Sequence, residues 1–165
     1  MREISEETFE NIFNFINGLS MEQVPEFSKS MIDKQPYIQG MIINYLGPEP
    51  DESSMATAII VYSLIIRCYE YEYGVLPLIK SEQLSEFHTE QMLYIKADLK
   101  RNSLKKVISA LRRKAGQREF IDFIDLIIDG GKGYPEGFKE DLKTVAKTGI
   151  YLTVIFLNAE MEKMQ

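Results

Sequence analysis

Six apolar residues, Met55, Ile59, Tyr62, Ile66, Tyr69 and Tyr73, recur at alternating steps of four and three. That spacing puts side chains on one face of an α-helix. Ala58, Val61, Ile65 and Cys68 add a second apolar face to the same segment, and a helix apolar around most of its circumference belongs inside a bundle. The pattern returns at the carboxyl end in Phe138, Leu142, Val145, Gly149, Leu152 and Phe156, widened by Ile150, Val154 and Ile155. The spacing therefore predicts two long apolar central helices packed side by side, with Gly149 letting a neighbour come close.

Between these helices the apolar phase turns twice. At about 100° per residue, Leu84, His88, Met92, Ile95 and Leu99 share one face, while Leu104, Val107, Ile108 and Leu111 point almost the opposite way. One helix cannot bury both sets, so a break is expected at Arg101-Asn102-Ser103. A second break follows Gly116, because Phe120, Phe123, Ile124 and Ile127 are rotated again. Residues 81–129 thus divide into three helices.

Upstream, Phe9, Ile12, Phe13 and Ile16 form a stripe behind an N-cap at Ser5. Ser20 and Gln23 have capping-box spacing ahead of Val24, Phe27, Met31 and Ile32, with Pro25 delaying the helix start. Ile38, Met41, Ile42 and Tyr45 make a third stripe that stops at Gly47-Pro48. The loop at 47–52, with two prolines and three acids, is the clearest break in the chain, and Ser53 or Ser54 is expected to cap the long helix, which Gly74 closes.

The expected fold is an all-α, single-domain bundle of about seven or eight helices over residues 1–165. Residues 1–46 form three short helices and 53–165 the core helices. A chain of 165 residues buries roughly 70% of its unfolded surface, so no staple is needed. Cys68 is the one cysteine, which excludes an intrachain disulfide and suits a reducing cytoplasm. The amino terminus carries acids where an export signal carries cations, and the most apolar run, 55–66, is too short to span a bilayer. A soluble cytoplasmic protein with no membrane partner is expected.

The net charge is −6, yet residues 96–118 hold nine cations and one acid. Arg112, Arg113 and Lys114 precede Gly116, where cations complement the helix macrodipole by roughly 0.3–1 kcal/mol each. Lys105 and Lys106 fall in the first turn, where the dipole disfavours them. Either internal acids neutralise that pair or an external acidic partner does. Lys105, Lys106, Arg112 and Arg113 are therefore the candidate partner-binding residues, all expected on a solvated face.

Other chemistry is sparse. His88 is the one histidine, so no histidine pair or facial triad exists for a metal, and its place on an apolar stripe points to a partly buried structural role. The run 129–137, DGGKGYPEG, resembles a phosphate loop only superficially. Leu126 and Gly133 stand where a Walker motif needs glycine and Ser or Thr, which leaves a helix stop and a restart near Pro135. Glu70 and Glu72 in the YEYEY end of the mid-chain helix oppose its dipole, and mutual neutralisation with the basic helix is expected, within one chain or across a dimer. Nine tyrosines and eight methionines would also supply an adaptable pocket, for which His88, Tyr69 and Tyr73 are the candidates beside their ordinary use in core packing.

No nucleophile with a base, metal set or cofactor loop is recognisable, and no cofactor is expected. The leading reading is a protein–protein interaction or regulatory factor whose partner is another protein or a second copy. One alternative is a nucleic-acid binder using residues 96–118, although no aromatic is interleaved there for base stacking. The other is a small-molecule binder with a Tyr/Met-rich pocket.

Overall fold

The computed structural model describes residues 3–20, 22–131 and 137–164. Among them the chain forms eight helices and no strand, in one unit. They are α1 (Glu6–Asn17), α2 (Val24–Lys34), α3 (Pro36–Asn44), α4 (Glu52–Tyr73), α5 (Ser81–Leu99), α6 (Leu104–Ala115), α7 (Arg118–Asp129) and α8 (Glu140–Met164).

Local signals set most boundaries. Ser5 caps α1 by accepting from the Thr8 N–H at 3.2 Å. Ser20 N–H donates to Gln23 Oε1 at 2.9 Å, and α2 starts only at Val24, with Pro25 in its first turn. The cap of α4 is Asp51 rather than Ser53 or Ser54. Its carboxylate accepts from the Ser54 N–H at 3.1 Å and hydroxyl at 2.8 Å, bonds that hold the Asp51 carboxyl below the usual carboxylate range. Gly74 closes α4 with φ of 90°, as the glycine implied. The expected restart at Pro135 lies outside the described residues.

Both long helices are buried along much of their length. The nearest neighbours of α4 are α1 and α3, while α8 packs closely on α6, α7 and α3. The two long helices meet through Tyr69, whose hydroxyl reaches Val154 O at 3.4 Å and bonds Asn158 Oδ1. Two other stripe residues lie outside the core: Val24 and Val145 are exposed.

The close approach expected at Gly149 is to a side chain at the end of α3. A Cβ at 149 would lie 2.5 Å from Cδ2 and 2.7 Å from Cγ of Tyr45, atoms near the root of the side chain that cannot swing away. Gly149→Ala is expected to cost about 1–3 kcal/mol through overpacking, measured as a lowered midpoint in urea unfolding. An unchanged midpoint would mean that the ring has room to move.

Two buried polar residues tie distant segments together. Gln35, between α2 and α3, donates from Nε2 to Pro77 O at 2.7 Å and accepts the Ile79 N–H at 3.0 Å, pinning the loop that follows α4. Gln117, between α6 and α7, accepts the Ile4 N–H at 2.7 Å and donates to the Tyr73 hydroxyl at 3.4 Å. It holds φ of 47°, a left-handed conformation uncommon for a residue with a Cβ.

Candidate functional site

The last buried residue of α5 is Ile95 and the first of α6 is Val107; every residue from 96 to 106 is exposed. The phase change in the sequence is the cause. Helix α5 ends where the N–H groups of Arg101 and Asn102 both turn back to Asp98 O, at 2.9 and 2.8 Å. Ser103 is extended, and α6 then returns to bury Val107, Leu111 and Ala115 on the side facing α8. The junction projects as a corner.

That corner carries Lys96, Lys100, Arg101, Lys105 and Lys106. Among the described residues none of their side chains makes an ion pair or hydrogen bond. Among the described residues, internal pairing does not account for the two early lysines. Two leucines sit among the cations, Leu99 at 42% exposure and Leu104 at 51%, although both belong to apolar stripes in the sequence. Leu99 lies one turn beyond the last buried residue of α5, and Leu104 one turn before the first of α6.

The other end of α6 is structural. Arg112 is not free on the solvated face as expected: its guanidinium pairs with Asp122 and with Asp125, the latter at 3.3 Å. Asp125 also accepts from the Tyr151 hydroxyl at 2.7 and 2.8 Å, and Lys147 bridges toward Asp125 and Asp129 at 3.8 and 2.9 Å. One carboxylate thus joins α6, α7 and α8. Arg113 is exposed and donates to Ser109 Oγ at 3.2 Å. Lys114 reaches buried Gln91 at 2.9 Å and lies over the Tyr94 ring.

The YEYEY end does not neutralise the basic helix within the chain. Glu70 pairs with Lys34 at 2.7 Å and with Arg67 at 3.4 Å, and Glu72 accepts from the Thr8 hydroxyl at 2.7 Å. These acids lie against α1 and α2.

His88, Tyr69 and Tyr73 do not share a pocket. Tyr69 is fully buried on Asn158, whose amide donates to Ala115 O at 2.7 Å, and burial raises its pKa well above the usual phenol value. Tyr73 packs 5.6 Å from it, ring to ring, and bonds Gln117. His88 lies elsewhere, its Nε2 2.8 Å from the Tyr45 hydroxyl, on a groove between α3 and α5. The sequence carried no sign of that pair, since the partners lie 43 residues apart.

Among the described residues no three of His, Cys, Asp or Glu are placed to hold a metal ion. The Cys68 thiol is buried and its pKa is pushed up by desolvation, the opposite of a reactive thiolate. No described helix is long and apolar enough to cross a membrane. No family model matches the chain, and no significant match is found among curated proteins or solved structures.

Proposed function

We propose that the protein acts as a regulator or adaptor that binds an acidic protein through the corner at 96–106. The observation that carries the reading is the exposed cluster of cations there, unpaired among the described residues, two of them at a helix start where the macrodipole opposes them. Such a placement lowers the stability of α6 and has no compensating partner among the described residues. Leu99 and Leu104 give the cluster an apolar centre. Complementary charge speeds encounter and sets orientation, while desolvated apolar anchors hold the complex. A phosphate backbone would use the cations and leave both leucines in water, so the mixture favours a protein over a nucleic acid.

The test is affinity capture from native lysate, with and without nuclease, comparing wild type with a K105E/K106E variant. Wild type is expected to retain an acidic protein that elutes as salt is raised, and the variant to lose it by about tenfold or more. Acids in the first turn suit the dipole, so the same variant should melt at an equal or higher temperature, by a few tenths to about 1 kcal/mol. Identical capture by both proteins would overturn the reading. Loss of the captured material on nuclease treatment would transfer the site to nucleic acid.

A further inference from the structure

The groove between α3 and α5, with a volume of about 330 Å³, lies away from the basic corner and carries a different chemistry. Tyr37, Met41 and Leu84 form its apolar wall. Gly40 forms part of its floor, and its setting is unusual. It lies inside a helix without a positive φ, and a Cβ added there would meet no atom within 4 Å. Neither packing nor backbone conformation requires glycine, although glycine is one of the poorest helix formers. At Gly149 the fold explains the residue; at Gly40 only the open groove does.

Polar side chains line the groove as well. Asn44, Ser81 and Ser85 line it, and among the described residues their side chains have no hydrogen-bond partner. His88 stands beside them, held by Tyr45, which is itself seated on Gly149. Burial raises the Tyr45 phenol to about 12, so the hydroxyl keeps its proton. When that hydroxyl donates to Nε2, the imidazole carries its hydrogen on Nδ1, which has no partner within the described chain. No Asp, Glu, Lys or Arg lines the groove. Hydrogen-bond donors at the His88 end of the groove therefore adjoin apolar side chains, with no acid to repel an anion, in a space near the lower end of small-ligand sites, which run about 300–1,000 Å³.

We infer that this groove is a binding site for a small one-ring aromatic carboxylate, its ring between Tyr37, Met41 and Leu84 and its carboxylate on His88, Asn44 and Ser85. The ring offers a flat apolar surface to a tyrosine and a methionine sulfur, a favourable pairing. The carboxylate takes up several donors at once.

Benzoate, 4-hydroxybenzoate and phenylacetate serve as probes, with benzamide as the neutral control, titrated into ¹⁵N-labelled protein. The expected result is saturable shifts at Gly40, Ser85 and His88 for at least one acid, with benzamide about tenfold weaker or worse. Gly40→Leu has room to fold and improves the helix, so its melting temperature should equal or exceed that of wild type while acid binding falls by about tenfold or more. Gly40→Ala should weaken binding less, with the same thermal trend. His88→Ala should lower affinity for the acids and leave benzamide little changed. Equal binding by wild type and both Gly40 variants would overturn the site. Equal binding of acid and amide would overturn the head-group assignment, and no saturable shift from any acid at about millimolar concentration would overturn the inference altogether.

Discussion

Replacing Gln35 with Ala is expected to lower the stability of the folded chain by about 2–4 kcal/mol and to free the loop that follows α4. Gln35 is buried, and its side chain satisfies two backbone groups that have no helix to bond with: the Pro77 carbonyl at 2.7 Å and the Ile79 N–H at 3.0 Å. A buried polar group left without a partner costs about 1–3 kcal/mol. Part of that cost is recovered if the loop opens to water, which its exposed Val75 and Leu78 make easy. Urea unfolding should register the loss, and amide exchange at Ile79 should accelerate well beyond the global change. Gln35→Glu provides the signed control. It keeps the acceptor for Ile79 but buries a charge and faces the Pro77 carbonyl with no donor, so burial would raise its folded pKa. A group with a raised folded pKa is most favourable below its unfolded value and loses that advantage as pH rises. The variant should therefore be weak at neutral pH and recover on acidification. Loop exchange unaltered in Gln35→Ala would show that other contacts hold the segment.

Asp125→Ala is expected to cost a similar amount, about 2–4 kcal/mol, although Asp125 lies near the surface of α7. Its carboxylate accepts from the Tyr151 hydroxyl and faces both Arg112 and Lys147. Tyr151 is fully buried on α8, and desolvation with the neighbouring carboxylate pushes its phenol far above the usual range, so its proton must be donated to something. Removing the acceptor orphans the hydroxyl and leaves two cations facing each other across a partly dry space. Asp125→Asn keeps an acceptor for the hydroxyl and should lose distinctly less. Chemical unfolding at low and at high salt checks the account, because screening relieves the cation repulsion in the alanine variant and leaves the orphaned hydroxyl. Equal losses for Ala and Asn would mean that charge, not the hydroxyl bond, carries the effect.

The two substitutions mark where residue patterns stop being informative. Gln35, Gln117, Asn158 and Asp125 belong to no apolar stripe, and each matters through a partner 26 to 113 residues away. Their roles exist only once helices have been assembled. The cap of α4 was missed for a nearer reason: Asp51, Ser53 and Ser54 all suit the position, and the choice turns on which side chain reaches back over the first turn.

The candidate corner was legible in part. Charge counting located it, and the dipole argument singled out Lys105 and Lys106, which are exposed and unpaired among the described residues. Arg112 carries the same charge, yet Asp122 and Asp125 claim it because α7 folds back alongside. Leu99 and Leu104 failed in the opposite sense: periodicity assigned them to buried faces, but each lies one turn outside the buried part of its helix.

Periodicity by itself determined the all-helical class, the three-way division of residues 81–129 and the placement of charge, since these depend on side chains within about two turns of one another. Tertiary structure alone decided that His88 meets Tyr45 rather than Tyr69 or Tyr73, and that a groove stays open over Gly40. Those outcomes depend on which apolar faces are paired. Several pairings bury similar area, and a few directional bonds from buried polar groups select among them.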